Sequence, residues 1–222
     1  MPATFRQRFV RAIYANHNDS KVIDDTLREI LARQGDDALM LNIGAGETRL
    51  HAKMMTLELE AGPGIDHVGS VEALPFADAT LDLIVTQEVL EHVSDPFKAM
   101  QEIYRVLKVD GESYVQLPFI IGYHPCPADY WRFTQSGIVQ LAEQAGFKNV
   151  VSKRALGPSI GFYRIAVEFF ALLFSRPIPK LYHAMKGAAA LVLYPVKWLD
   201  ILLNSHPEAD RISGGYLIIL KK

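Results

Sequence analysis

Leu39-Met-Leu-Asn-Ile43 runs without a break into Gly44-Ala-Gly46-Glu47-Thr48, and the rest of the chain is read outward from this junction. A short, mostly apolar run stopped by glycines has the length and composition of a buried strand. Two glycines directly after it let the backbone turn sharply and expose N–H groups at the carboxyl edge of a sheet, where open α/β folds bind ligands. Alone, a Gly-x-Gly after a strand also fits a plain tight turn. The dinucleotide form of the motif needs a small residue three positions after Gly46, and Arg49 stands there. The next apolar run starts at Met55, so a long phosphate-binding helix has little room between the two strands.

Downstream, strand-type runs recur at Met55–Leu59, Asp66–Gly69, Leu81–Thr86, Tyr114–Leu117, Phe147–Ser152 and Tyr216–Leu220. Helical periodicity predicts helices at Pro96–Leu107, capped by Asp95, and at Gln135–Ala145, ended by Gly146. Upstream, Ser20–Arg33 reads as a helix with Ser20 as N-cap and Gly35 as its stop. Strands alternating with helices predict an α/β fold with a mostly parallel sheet. The organisation expected is one domain over 1–222. It comprises N-terminal helices (1–35), a core at 39–153, an apolar, basic helical insert at 157–213 and a last strand at 215–221.

Composition agrees. The chain has 222 residues, 50% hydrophobic and 22% charged, with one cysteine, so a full sheet with flanking helices is affordable without disulfides. Cys126 alone makes neither an internal disulfide nor a cysteine-based zinc site, which favours a reducing compartment. No metal-ligand set is read from the sequence. The first residues carry Phe5, Phe9 and Ile13 at helical spacing among arginines, the pattern of an amphipathic helix rather than of a signal peptide. Charge is uneven: residues 1–152 hold 13 Lys and Arg against 21 Asp and Glu, and residues 153–222 hold 10 against 4. A basic, apolar tail is either a helical cap with its charges in solvent or a surface for anionic groups or a membrane.

Four blocks settle the reading: Asn42-Ile-Gly-Ala-Gly46, Leu74-Pro-Phe-Ala-Asp-Ala-Thr-Leu-Asp82, Glu88-Val-Leu-Glu-His-Val-Ser-Asp-Pro96 and Glu102-Ile-Tyr-Arg-Val-Leu-Lys-Val-Asp-Gly111. In this order and spacing they resemble class I S-adenosylmethionine-dependent methyltransferases, across about residues 39–153. The resemblance implies a Rossmann-like seven-stranded sheet with an antiparallel last strand, here with short early crossovers and a helical insert before that strand. It implies S-adenosyl-L-methionine as cofactor, with Gly44, Ala45 and Gly46 facing its methionine part and Glu58 accepting from the ribose hydroxyls. Ser70 and Val71 would lie beside the adenine with Leu59, and Gln87 would line the cofactor from the other side. A carboxylate suits a ribose diol because it only accepts hydrogen bonds. The sequence departs from the family pattern at Thr48, where a third glycine is usual, at Ser70, where an aspartate is usual, and at Val109-Asp110-Gly111, which replaces Pro-Gly-Gly. The short links around Met55–Leu59 predict that one or two sheet-flanking helices are missing, with the N-terminal helices covering that face.

The loop after the fifth strand, Pro118–Thr134, gathers His124, Cys126, Asp129, Tyr130, Trp131 and Arg132 at the expected active edge. His124 is the candidate base, since imidazole titrates near neutrality, with Asp129 orienting it. Arg132 either holds an acidic substrate group or pairs with Asp129 to stiffen the loop. His92 and Tyr130 are further substrate candidates. Alignment for in-line methyl transfer is the main task such a site performs. The Asn/Asp-Pro-Pro-aromatic signature of nucleic-acid amino methylation is absent, the strand end reading Gln116-Leu-Pro-Phe119, and a pI near 6.4 gives no electrostatic footprint for nucleic acid. The expected acceptor is therefore a small molecule, lipid or saccharide precursor, in a cytoplasmic protein whose 157–213 segment contacts a membrane surface. A non-catalytic S-adenosylmethionine-binding protein and a nicotinamide-dependent oxidoreductase are the alternatives.

Overall fold

The computed structural model describes residues 20–46 and 49–222; the helix read around Phe5–Ile13 and the glycine replacement at Thr48 lie outside them. The opening motif folds as its composition requires. β1 (Met40–Ile43) is buried at every position and runs parallel between two neighbours, with Ile43 opposite Leu57 of β2 (Met54–Glu58) on one side and Thr86 of β4 (Leu81–Gln87) on the other. β3 (His67–Val68) adds two residues beyond β2. β5 (Leu107–Pro118) pairs with β4, and β6 (Asn149–Leu156) and β7 (Gly215–Lys221) complete a seven-stranded sheet in the order β3-β2-β1-β4-β5-β7-β6, with six strands parallel and the last antiparallel.

Helices follow their cap chemistry. α1 spans Lys21–Ala32 after Ser20, whose hydroxyl accepts from the Ile23 amide at 3.2 Å. α2 (Pro96–Val106) has Asp95 accepting from the Lys98 amide and a proline in its first turn, where the missing N–H costs nothing. α3 (Gln135–Ala145) starts on Thr134 and stops on Gly146, whose φ of +113° suits glycine.

Two features differ from the expectation. Among the described residues, none of the three links joining β1, β2, β3 and β4 holds an α-helix, so the shortening there reaches further than the one or two helices expected. And β5 starts at Leu107 directly after α2, seven residues before Tyr114. The Val109-Asp110-Gly111 departure falls inside the strand rather than before it. Leu107 pairs with Leu81 and Glu112 with Leu83, residues 108–111 bulge between, and Asp110 takes a left-handed φ of +65°.

Two compact units emerge from the contacts. One holds residues 25–118, 123–153 and 216–222 and carries the main core, including Leu41, Ile43, Leu57, Ile84, Met100, Ile103, Val115 and Ile218. The other holds residues 20–24, 119–122 and 154–215. In it, α4 (Pro158–Ser175) packs Tyr163 and Val167 against Ala189 and Ala190 of α5 (Tyr182–Leu193), ahead of the short α6 (Asp200–Leu203). Asp200 accepts from the Ser159 amide at 2.7 Å and so caps α4, which has no side-chain cap of its own. By length and composition α4 is apolar enough to cross a membrane, yet more than half of it is buried within the fold. Its two charges are satisfied: Arg164 donates to the Gly214 carbonyl at 3.1 Å, and Glu168 pairs with Lys186 and accepts from the Tyr182 hydroxyl.

Candidate active site

The carboxyl ends of β1, β2 and β4 converge on a cavity of about 360 Å³, within the range of small-ligand sites. β1 contributes Ile43 and Gly44, β2 contributes Leu57, Glu58 and the following Leu59, and the link after β3 contributes Gly69, Ser70, Val71 and Glu72. The segment after β4 supplies Glu88, Val89, His92, Val93 and Ser94, and the loop after β5 supplies Cys126, Pro127, Ala128 and Tyr130.

Each wall has a local cause. Gly44 holds φ +69° and lies so close to Val89 that a Cβ there would sit 2.3 Å from the valine Cγ2. Both features exclude a side chain, which is why a glycine ends β1. Glu58 ends β2 beside this turn, and its Oε1 accepts from the Gly46 amide at 2.6 Å. The Gly44 amide is committed to the Leu57 carbonyl at 2.9 Å. Glu88 follows β4 in a left-handed conformation, φ +54°, a strain that non-glycine residues hold only when their surroundings impose it.

The link from Ser70 to Thr80 is fixed from α2. Arg105 donates to the carbonyls of Phe76 at 2.9 Å and Leu74 at 3.1 Å and pairs with Glu102 and Asp78 at 2.7 Å each. Glu102 in turn accepts from the Leu74 amide at 2.8 Å. The Arg105 bonds hold the Glu102 carboxyl below its ordinary range.

The loop after β5 is tied to the segment after β4. The amides of Tyr130 and Trp131 donate to the Glu91 carbonyl at 2.8 and 3.2 Å, and the Trp131 indole donates to the Val93 carbonyl at 2.9 Å. Asp129, only 1% exposed, accepts from both terminal nitrogens of Arg132 and from the His124 amide at 2.8 Å. The guanidinium holds the Asp129 carboxyl far below the usual range. The carboxylate lies 3.4 Å from His124 Nδ1, and Arg132 Nη2 lies 3.3 Å from the same nitrogen.

The expected site residues thus separate. Gly44, Glu58, Leu59, Ser70, Val71, His92 and Tyr130 line the cavity. Ala45 and Gly46 are in the adjoining turn without lining it. Gln87 is engaged elsewhere, its amide donating to the Gln116 side chain at 3.1 Å, and Glu88 and Val89 take the wall position read for it. Arg132 is spent on Asp129, the loop-stiffening alternative. His124 stands outside the lining, with its Nε2 3.9 Å from Glu91. Glu91 is the residue the sequence reading missed. Its side chain is wholly buried, neither oxygen has a hydrogen-bond partner, and burial raises its carboxyl pKa.

A seven-stranded sheet of this order, with a glycine turn after β1 and an acid ending β2, defines the class I methyltransferase architecture. Residues 38–115 match the family model described as "Methyltransferase domain", which supports a class I S-adenosylmethionine-dependent methyltransferase. It is 26% identical over 133 residues, 57% of this chain and 46% of the relative, to a protein of Mycolicibacterium smegmatis named "Probable S-adenosylmethionine-dependent methyltransferase". Over 53 residues, 23% of this chain and 21% of the relative, it is 45% identical to the ubiquinone/menaquinone biosynthesis C-methyltransferase UbiE of Xanthomonas oryzae. The chain spans less than half the length of either relative. The Burkholderia thailandensis 1,6-didemethyltoxoflavin-N1-methyltransferase, solved with 1,6-didemethyltoxoflavin and S-adenosylhomocysteine, shares the fold at TM-score 0.56 and 15% identity, covering 100% of this chain and 92% of that one.

Proposed function

We propose that this chain transfers a methyl group from S-adenosyl-L-methionine to a small-molecule acceptor. The observation that carries the reading is the position of Glu58, a carboxylate at the end of β2 on a cavity whose other walls are largely apolar. The residues present fit the cofactor: Glu58 suits the ribose diol, Leu59, Val71 and Val89 suit the adenine face, and Gly44 permits close approach. The cofactor supplies an electrophilic methyl on a sulfonium sulfur. The chain's own part is to bind and align. Glu58 holds the Gly46 amide in the structure, so its turning to a diol frees that N–H for an anionic group. His92 and Tyr130 face the acceptor side, and proton handling is placed at His124 with its neighbours Glu91 and His92, the ring being held by Asp129.

Calorimetry with S-adenosylhomocysteine on wild type and Glu58→Ala tests the reading. Loss of hydrogen bonds to a charged group weakens binding by roughly 1–3 kcal/mol; unchanged affinity, or no binding by wild type, overturns it. UbiE is a relative named for a quinone-pathway reaction, and it supports the small-molecule choice.

A lipid-like acceptor reached at a membrane surface is favoured by a second observation. The α4–α6 unit exposes Phe169, Leu172, Phe174, Val192, Trp198, Ile201 and Leu202, Ile201 at 84%, in a segment with an excess of Lys and Arg. Exposed apolar area on this scale marks an interaction surface. Co-sedimentation with phosphatidylcholine vesicles, with and without phosphatidylglycerol, is expected to recover the wild type and to lose Ile201→Asp/Leu202→Asp. Equal recovery of both proteins, or of neither, removes the membrane reading.

A further inference from the structure

Beside the cavity, three side chains from two stretches of sequence bring their ligating atoms together. His92 Nε2 is 3.6 Å and His124 Nε2 3.9 Å from Glu91 Oε1, and the three ligand atoms all fall within 4.8 Å of one another. The two imidazole rings stand nearly perpendicular, centroids 5.1 Å apart. In a tetrahedral zinc site with bonds of about 2.1 Å, neighbouring ligand atoms are separated by roughly 3.4 Å. The two distances to Glu91 must close by about 0.2 and 0.5 Å, and the separation of the two imidazole nitrogens by up to about 1.4 Å, to reach that geometry.

The surroundings prepare both rings for the task. His92 Nδ1 lies 2.5 Å from the Ala128 carbonyl, and a carbonyl only accepts, so Nδ1 carries the proton and Nε2 is left with its lone pair. At His124 Nδ1 the Asp129 carboxylate, 3.4 Å away, can accept a hydrogen bond, whereas Arg132 Nη2, 3.3 Å away, can only donate; metal binding through Nε2 requires the tautomer in which Asp129 holds the Nδ1 proton. Ligating histidines are regularly supported by a carbonyl or carboxylate at the second nitrogen. Glu91 completes the argument: a fully buried carboxylate with no hydrogen-bond partner on either oxygen is costly unless something positive joins it. Glu88 and the Arg132 guanidinium, itself paired with Asp129, both act electrostatically on Glu91.

We propose that Glu91, His92 and His124 bind a divalent transition-metal ion, with an open coordination position toward the cavity lined by His92. Two imidazoles with one carboxylate select zinc-like ions over magnesium or calcium, and three protein ligands are the pattern of a site that keeps a position for a further oxygen. A hydroxyl or water bound there loses its proton to solvent, the electron pair of the O–H bond staying on oxygen, at a pH well below its ordinary pKa. His124 then acts as a ligand positioned by Asp129. The site stands on its own geometry; its use on a methyl acceptor rests on the methyltransferase reading.

The test is titration of the chelator-treated full chain with Zn²⁺ by calorimetry and with Co²⁺ by visible absorption. One Zn²⁺ per chain and an intense Co²⁺ spectrum of low coordination number are expected for wild type. Glu91→Gln and His92→Asn are expected to weaken Zn²⁺ by 100-fold or more on the scale of lost ligands, and Asp129→Asn by about 10–100-fold. The Co²⁺ spectrum needs no variant, so a variant that fails to fold leaves the test intact. Absence of one-to-one binding in wild type, a Co²⁺ spectrum unchanged from the hydrated ion, or equal affinity in folded His92→Asn overturns the site. S-adenosylhomocysteine titrated into the same samples separates the two readings: cofactor binding without metal binding sinks the metal site alone, and metal binding without cofactor binding sinks the methyltransferase reading alone.

Discussion

Gly44→Ala probes the junction from which the fold was read. Two costs are separable there. Alanine at φ +69° pays the left-handed penalty of roughly 1–2 kcal/mol. Its Cβ also meets Val89 Cγ2 at 2.3 Å, far inside van der Waals contact, and valine has few rotamers with which to yield; overpacking of this kind costs about 1–3 kcal/mol. Together they amount to about 2–5 kcal/mol, which in a chain of this size lowers the melting temperature by roughly 5–15 °C. Both residues line the cavity, so forcing them apart is expected to weaken S-adenosylhomocysteine at least about tenfold, 1.4 kcal/mol. A double-mutant cycle with Val89→Ala, by urea denaturation and calorimetry, divides the sum. In the Val89→Ala background the steric part vanishes and only the backbone penalty of about 1–2 kcal/mol remains. Gly44→Ala costing less than about 0.5 kcal/mol, or costing the same in both backgrounds, refutes the placement of Val89 against the turn.

Asp129→Asn is expected to destabilise by about 1–3 kcal/mol at pH 7, because it leaves the Arg132 guanidinium without its paired charge. The Asp129 pKa is lowered in the folded state, so its contribution is present above the unfolded value near 3.9 and is lost as pH falls below about 4. Thermal melts at pH 7, 5, 4 and 3 should show the gap between variant and wild type closing at the acid end, and a gap independent of pH contradicts the pairing. Arg105→Lys cannot bridge two carbonyls and two carboxylates at once; a cost of about 1–2 kcal/mol is expected, with faster amide hydrogen exchange confined to residues 70–80. Zn²⁺ at 100 times its dissociation constant should stabilise wild type by about 2.7 kcal/mol, a rise of several degrees in scanning calorimetry that Glu91→Gln does not show.

The parts of this protein legible in its sequence are those written in local pattern. β1 with its glycine turn, the caps at Asp95, Thr134 and Gly146, and the order of the strands each depend on residues within a few positions of one another, where composition and period carry the information. Glu58 was legible for the same reason, since it ends a strand beside the turn. What escaped depends on long-range pairing. The early start of β5 is set by Leu107 finding Leu81 across the sheet, and nothing near residue 107 announces it. The family resemblance put Gln87 on the cavity wall, yet its side-chain amide donates to Gln116 on another strand. Glu91 is the sharpest case. In sequence it is one acid in Glu88-Val-Leu-Glu-His92, and His124 lies 32 positions beyond His92 in a loop. Only when the Tyr130 and Trp131 amides bind the Glu91 carbonyl does that loop fold back and bring the second imidazole to the buried carboxylate. The one signal available beforehand was chemical: an acid next to a histidine after a sheet strand, with a second histidine in the loop after the neighbouring strand, at the edge where parallel sheets collect their ligands.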